Sequence, residues 1–249
     1  IIIHQQKEND REIAIERAHL MTELVENKNK LLADVSHELR TPLTVLKLQV
    51  ESLQHNLDDD VGASYQALDE KLSDIGRLIS DIYQLAQSDI GALELNLCDL
   101  EFPEAINDWV KEFELLVTSN NLSWQFENLL THAVSINADI NRIKQVLANL
   151  INNSVKYTDK PGKVCLSVYS KDSQLYITIE DSSPSVPANL QSQIFERLYR
   201  VEESRSRETG GSGLGLAICK SLIEAHNGII TASTSDQGGL TVTIQIPIN

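Results

Sequence analysis

The segment LADVSHELRTPLTVLKLQVESLQHNL, residues 32–57, carries apolar residues at the spacing of one helix face. Steps of three and four predict a long helix over about residues 8–57 with a coiled-coil-like seam. Two consecutive steps of four meet at Leu39, and such a stutter locally unwinds a supercoil. Pro42 removes a backbone donor in the same turn, so we expect a bend there. The seam consists of Leu32, Val35, Leu39, Leu43, Leu46, Val50, Leu53 and Leu57.

A second helix with a similar seam follows a predicted break at residues 56–62 and ends at residues 88–92. Two helices with one narrow seam each cannot close a core alone. We therefore expect a homodimer in which two α-helical hairpins form a four-helix bundle. The second seam consists of Tyr65, Leu68, Leu72, Ile75, Ile79 and Ile82.

The pattern changes after the hairpin and predicts an α+β domain. Residues 182–212 are rich in Ser, Pro, Arg and Gly, and an irregular stretch of that length is typical of a functional loop. Asp139 is a suitable N-cap for the helix that follows it. Helices are predicted at 102–117, 140–155 and 214–226, and strands at 122–127, 133–136, 164–169, 175–180, 229–233 and 241–246.

Composition excludes several classes of protein. The 249 residues contain 36 acidic and 21 basic side chains, a net charge of −15, which argues against a nucleic-acid binder. Three widely spaced cysteines predict neither a disulfide framework nor a zinc site. No apolar run reaches the ~18–20 residues that span a bilayer. The chain begins with three isoleucines instead of Met, so we expect a fragment whose only membrane link is an upstream segment.

The sequence SHELRTP, residues 36–42, offers a candidate nucleophile beside the stutter. His37 falls between seam positions and should face solvent, with Thr41 one turn further on the same face. Glu38 could accept the Nδ1 proton and leave Nε2 to attack phosphorus. Taken alone, the segment also fits an ordinary solvated helix.

Three segments of the α+β domain could together hold a nucleotide. On the predicted helix, Asn149, Asn153 and Lys156 share one face, where amide oxygens suit Mg²⁺ and the ammonium suits phosphate. Asp181 follows a strand and could accept a hydrogen bond from an exocyclic amine. The sequence GGSGLGL, residues 210–216, opens a helix whose free N–H groups can bind an anion. Each segment alone also fits a polar helix flank, a turn or a flexible loop.

In this order the segments resemble the H, N, G1, F and G2 boxes of the sensor histidine kinases of two-component systems. The resemblance covers roughly residues 25–249, and the wording of the boxes is similar to the BaeS-type envelope-stress sensors. The F box corresponds to FERLYR, residues 195–200. The family implies a linker helix at 1–24, a dimerisation and phosphotransfer hairpin at 25–92, and a two-layer Bergerat (GHKL) ATP-binding domain at 98–249.

The resemblance implies that His37 is autophosphorylated from ATP with Glu38 as its base, and that the phosphoryl group passes to an aspartate of a response regulator receiver domain. Thr41 would help to dephosphorylate that regulator, and Asn153 would bind Mg²⁺. The family's sensors imply the cytoplasmic portion of a bacterial inner-membrane protein. The implied nucleotide-binding residues are Asn149, Asn153, Lys156, Tyr157, Asp181, Arg200, Gly211, Gly213, Leu214 and Gly215.

The G1 box departs from the family pattern Asp-x-Gly-x-Gly, because Ser183 and Ser185 replace both glycines. Serine tolerates a positive φ less well than glycine, so we expect a differently shaped turn or weaker nucleotide binding. Two other functions stay open. One is a nucleotide-binding scaffold without turnover, which the serines favour. The other is an ATPase of the gyrase or MutL kind, although those enzymes use a catalytic Glu where Asn149 stands.

Overall fold

The computed structural model describes residues 2–55, 61–89, 91–201 and 212–249. The chain divides into two compact units, Ile1–Ile79 and Ser80–Asn249. The first contains α1 (Ile2–Gln54) and most of α2 (Val61–Asp89). α1 is helical through Pro42, while the bend expected there stays a prediction. Most of the break predicted at residues 56–62 lies outside the described residues. Its last two residues, Val61 and Gly62, were wrongly predicted, because they belong to α2.

The seam of α2 is covered on one side only. Tyr65, Leu72 and Ile79 recur every seven residues and are 63%, 56% and 54% exposed. The alternate seam positions Leu68 and Ile75 are half-buried. A single chain therefore leaves an apolar stripe on α2 facing solvent. Among the described residues, no helix combines the length and apolarity required to cross a membrane.

The second unit continues with an α+β domain whose elements closely follow the predicted ones. The helices are α3 (Phe102–Ser119), α4 (Ile140–Tyr157) and α5 (Gly215–Ala225), with a 3₁₀ turn at Gln193–Phe195. The strands are β1 (Cys98–Glu101), β2 (Leu122–Asn128), β3 (Ser135–Ala138), β4 (Gly162–Lys171), β5 (Gln174–Ser182), β6 (Ile229–Thr234) and β7 (Gly238–Pro247).

Five strands form one mixed sheet in the order β2-β4-β5-β7-β6, in which only the β2–β4 pair is parallel. Along its strands, alternate residues are buried on the inner face of the sheet. Leu166, Ile179 and Val242 make one cross-strand row of this face. The apolar face of α4, including Ile143 and Leu147, is buried as well. The result is a two-layer domain with α3, α4 and α5 as its helices.

A separate two-stranded sheet pairs β1 with β3, antiparallel, from Cys98 opposite Ala138 to Glu101 opposite Ser135. β1 was not predicted, since four residues are too few to show an alternating pattern. β3 begins two residues later than predicted. Both strands lead into helices, β1 into α3 and β3 through Asp139 into α4.

Candidate functional site

The beginning of α4 is fixed by a buried polar cluster around Asp139. Its carboxylate accepts from the backbone N–H groups of Asn141 and Arg142, as predicted for an N-cap, and also from that of Asn96. Burial raises the pKa of Asp139, but these hydrogen bonds outweigh it and hold the pKa below its ordinary value. The Asp139 N–H donates to Nε2 of buried His226, 3.0 Å away.

The predicted polar face of α4 is present in the structure. Asn149, Asn153 and Lys156 are half-buried along one edge of the helix, whose opposite face lies in the core. The Lys156 Nζ lies 5.0 Å from the centre of the exposed Tyr157 ring. The edge therefore presents amide oxygens and a cation together, as the spacing indicated.

Asp181 lies near the end of β5 and is 9% exposed. Its Oδ2 accepts from Ser154 Oγ and its Oδ1 from the Leu240 N–H, both at 2.7 Å. Burial raises the pKa of Asp181, and the two hydrogen bonds only partly oppose that effect. A Cβ atom on Gly239 would overlap Asp181, so only glycine fits there. Asp181 is thus a carboxylate held in a fixed position. Its partner Ser154 lies on α4, about one helical turn before Tyr157.

Ser154, Gly239 and Leu240 were not predicted as site residues. The glycine doublet at 238–239, at the start of β7, was the one available signal, because glycine within a strand often marks a close backbone approach. Ser154 carried no signal, since a small polar residue on a helix has many possible neighbours.

The glycine loop is described from Ser212 onward, so Gly211 lies outside the described residues. Gly213 has φ +67°, a left-handed conformation that favours glycine. Ser212 Oγ accepts from the Leu214 N–H at 3.3 Å, directly before α5 begins at Gly215. The loop therefore delivers a helix N-terminus, as predicted.

The two serines of the G1 box take no left-handed conformation. The described residues with a positive φ include neither Ser183 nor Ser185. Instead the Ser183 carbonyl accepts from the Asp159 N–H at 2.9 Å, which ties the turn to the end of α4. The turn at these serines therefore needs no left-handed residue, while the weaker nucleotide binding expected from them stays a prediction.

Asn149 has a further neighbour on α5. Its side chain lies near the thiol of Cys219, which is fully buried and donates to the Val146 carbonyl at 3.8 Å. Burial raises the pKa of Cys219 to about 12, and the Asn149 contact opposes only a small part of this rise. Cys98, Cys165 and Cys219 form no disulfide with one another.

On the hairpin, Glu38 is half-buried and Thr41 is exposed. His37 lies in α1, but the predicted exposure of its imidazole lies outside the described side chains. Among the described residues, no group of three or more His, Cys, Asp or Glu side chains could hold a metal.

Two family models match the chain. The His Kinase A (phospho-acceptor) domain matches residues 27–91, and the histidine kinase-, DNA gyrase B- and HSP90-like ATPase matches residues 138–249. The chain belongs to the two-component sensor histidine kinases. Within this family it comprises the phospho-acceptor hairpin followed by the ATP-binding domain.

Individual relatives agree. The signal transduction histidine-protein kinase BaeS of Escherichia coli (strain K12) is 36% identical over 221 residues. That match covers 89% of this chain and 47% of BaeS, so the chain spans about half the length of this relative.

Solved structures share the fold. Acinetobacter baumannii histidine kinase AdeS superposes with a TM-score of 0.71 at 24% identity, over 86% of this chain and 98% of that one. Histidine kinase ThkA in complex with response regulator protein TrrA gives a TM-score of 0.70 at 24% identity, over 88% of this chain and 61% of that one. The fold prediction, a helical hairpin followed by a GHKL domain, is confirmed.

Proposed function

We propose that the chain is an ATP-dependent autokinase that transfers the γ-phosphoryl group of ATP to Nε2 of His37. The bond from the γ-phosphorus to the β–γ bridging oxygen breaks, the N–P bond forms, and ADP leaves. Glu38 takes the proton from Nδ1. The observation that carries the proposal is that one chain joins a phospho-acceptor hairpin to an ATP-binding domain with an intact Asp181.

Asp181 would bind the exocyclic amine of adenine. Its two hydrogen bonds, from Ser154 and Leu240, fix its carboxylate without using all of its acceptor positions. Because the site is buried, an amine that replaces water there gains from the low dielectric environment. Tyr157, 46% exposed and next to Lys156, would flank the nucleotide.

The phosphates would meet the polar edge of α4 and the N-terminus of α5. Asn149 and Lys156 lie on that edge, while Gly213, Leu214 and Gly215 lead into α5, whose first N–H groups have no partner within the helix. Arg200 and Gly211 would add phosphate contacts from the connecting segment. These local donors would offset the repulsion between an anionic nucleotide and a chain of net charge −15.

The donor set on α4 fits Mg²⁺. Hard oxygen ligands suit this ion, and it commonly takes few protein ligands and completes its shell with phosphates and water. The half-buried Asn153 offers one amide oxygen on the same face as Lys156. When bound, Mg²⁺ would neutralise phosphate charge and orient the γ-phosphoryl group for in-line transfer.

The hairpin would act as a homodimer. The stripe of Tyr65, Leu72 and Ile79 repeats every seven residues and stays exposed in a single chain. Leu43 of the α1 seam is also exposed, by 51%. A second hairpin would bury these side chains in a four-helix bundle.

The phosphoryl group would pass from His37 to an aspartate of a response regulator receiver domain, and Thr41 would help to reverse that modification. The structure of ThkA with TrrA supports a partner of this class. By its resemblance to the sensor histidine kinases, the chain would be the cytoplasmic portion of a membrane-anchored sensor.

The test is incubation of the chain with γ-labelled ATP and Mg²⁺, followed by acid and alkali treatment of the labelled protein. We expect label that is lost in acid and kept in base, as for phosphohistidine. The His37→Gln variant should bind ATP but incorporate no label. Label of equal level on the variant would refute His37 as the acceptor.

The same assay separates the other two functions. Release of inorganic phosphate without labelled protein would indicate an ATPase, although the amide of Asn149 cannot replace a catalytic carboxylate as a base. ATP binding with neither label nor release would indicate a scaffold. Neither of the serines that favoured a scaffold has a positive φ, so left-handed backbone strain gives that reading no support.

A further inference from the structure

The segment after the 3₁₀ turn lies directly against the glycine loop. The Leu198 N–H donates to the Gly213 carbonyl at 3.0 Å. A Cβ atom on Gly213 would lie 3.0 to 3.3 Å from three backbone atoms of Leu198. The two backbones therefore fix each other, and the position of Gly213 depends on the conformation of Leu198.

Leu198 holds this contact in an unfavourable conformation. Its φ is +59°, in the left-handed region that residues with a Cβ atom rarely adopt. Leu has no side-chain hydrogen bond with which to offset this cost. Such a conformation persists only when the surroundings determine it, so the restraint on Leu198 must come from its neighbours.

The preceding residue, Arg197, supplies such a restraint. The guanidinium of Arg197 makes a two-point contact with the carboxylate of Asp89, with Nη1 2.6 Å from Oδ2 and Nη2 paired with Oδ1. A fork of this kind fixes orientation as well as distance, which a lysine cannot do. The pair joins residues 108 positions apart in the sequence.

Asp89 is itself held in place, as the last residue of α2 and a member of the second unit. Four residues earlier, Leu85 is 1% exposed and lies beside Ile218 and Leu222 of α5. Gln84 Oε1 accepts from Gln145 Nε2 at 2.9 Å. The end of α2 is thus anchored to α4 and α5, which carry the proposed nucleotide-binding residues.

We propose that Asp89 and Arg197 are positioning residues for the phosphates of ATP. Their ion pair holds Leu198 in its left-handed conformation, and Leu198 holds Gly213 and the N-terminus of α5 where they bind phosphate. This inference rests on the proposed function, since it concerns the same nucleotide site. It goes further in one respect: phosphate binding would depend on Asp89, the last residue of α2.

The test is nucleotide binding by the full chain in the His37→Gln background, which prevents turnover. ATP with Mg²⁺ is titrated calorimetrically, and adenosine is titrated by ligand-observed NMR. We expect Asp89→Asn and Arg197→Lys to weaken ATP binding by about tenfold, of the order expected for losing a charged hydrogen bond. Adenosine binding should stay unchanged, because it makes no phosphate contacts. The matched control Glu94→Gln, an exposed carboxylate five residues further on, should change neither.

Two further variants test the chain of contacts. The exchange of both charges, Asp89→Arg with Arg197→Asp, should recover ATP affinity relative to either single change. Leu198→Gly in the Asp89→Asn background should also recover it, since glycine adopts a positive φ without the restraint.

The inference is overturned if Asp89→Asn binds ATP as tightly as the parent protein while Asp181→Asn does not bind it. It is also overturned if ATP and adenosine weaken equally, because that result indicates a general loss of structure. If the parent protein binds no ATP, or Asp181→Asn leaves binding unchanged, the proposed function itself fails.

Discussion

The hairpin and the ATP-binding domain differ in how far they bury their apolar residues. Among the described side chains of the first unit, Leu78 alone is a buried hydrophobic residue, whereas the second unit buries whole rows such as Leu166, Ile179 and Val242. The domain completes its own core, but the hairpin leaves seam residues exposed. The difference teaches that the nucleotide region completes its core within one chain, whereas the acceptor region leaves an apolar surface for the proposed second copy to bury.

The largest expected effect breaks the hairpin side of this comparison. Leu72→Asp places a charge in the centre of the exposed stripe, so burial against a second copy becomes unfavourable. We expect the variant to sediment as a monomer at concentrations where the parent protein is a dimer. Leu115→Asp, at a residue of the ATP-binding domain that is 71% exposed, is the control and should remain dimeric. A dimeric Leu72→Asp would contradict the seam assignment.

Two glycines distinguish the tightly packed domain from the open hairpin. Gly239→Ala forces a methyl group onto Asp181, and we expect a loss of about 1–3 kcal/mol in the free energy of unfolding. Gly76→Ala lies in α2 with nothing within 4 Å of its new Cβ atom, so it should gain about 1 kcal/mol. Urea denaturation measures the free energy of unfolding of both variants. A change of the same sign in both would contradict the difference in packing between the two sites.

The pH dependence of stability sharpens the view of Asp181. Its folded pKa is raised by burial, so the folded state binds this proton more tightly than the unfolded state. Its stabilising contribution is therefore complete below the unfolded pKa and is lost as the pH rises through the folded pKa. Asp181→Asn keeps neutral partners for Ser154 and Leu240. We expect it to melt at or above the parent temperature at pH 7, with the advantage shrinking towards pH 4.

A decrease in melting temperature for Asp181→Asn that is the same at both pH values would contradict this reading. It would indicate that the hydrogen bonds of the carboxylate stabilise the fold. We expect instead that the buried charge destabilises the fold and is retained because it binds a ligand.

The smallest effect concerns the cysteines. Cys98 is exposed, whereas burial raises the pKa of Cys165 and takes that of Cys219 to about 12. Because the thiolate is the reactive form, iodoacetamide at pH 8 should modify Cys98 first in the folded protein. Intact-mass measurement should show one carbamidomethyl group added while the protein is folded. Rapid modification of Cys219 would instead mean that the domain unfolds locally near Asn149.

Much of the fold could be predicted because it is local. The seams of α1 and α2, the N-cap at Asp139 and the alternation in β4 and β5 each depend on residues close together in sequence. The missing parts depend on distant pairing. β1 exists because Cys98–Glu101 pairs with Ser135–Ala138, and the parallel pairing of β2 with β4 has no sequence pattern of its own.

The site divides in the same way. Asn149, Asn153 and Lys156 share an edge because the helix period requires it, so the sequence predicts them together. The hydrogen bonds of Ser154 and Leu240 to Asp181 join three separate elements, and no spacing reveals them. The concern over Ser183 and Ser185 was a prediction from residue type, and the observed backbone does not need glycine there.

The most direct measurement is to locate the phosphate. The chain is incubated with ATP and Mg²⁺, digested at neutral or alkaline pH, and fragmented by mass spectrometry without acid. We predict a single phosphorylated peptide that contains SHELRTP, with the added group on His37. Phosphate on any other residue, or ADP formation with an unmodified His37, would contradict the assignment of the hairpin as the acceptor of the domain's γ-phosphoryl group.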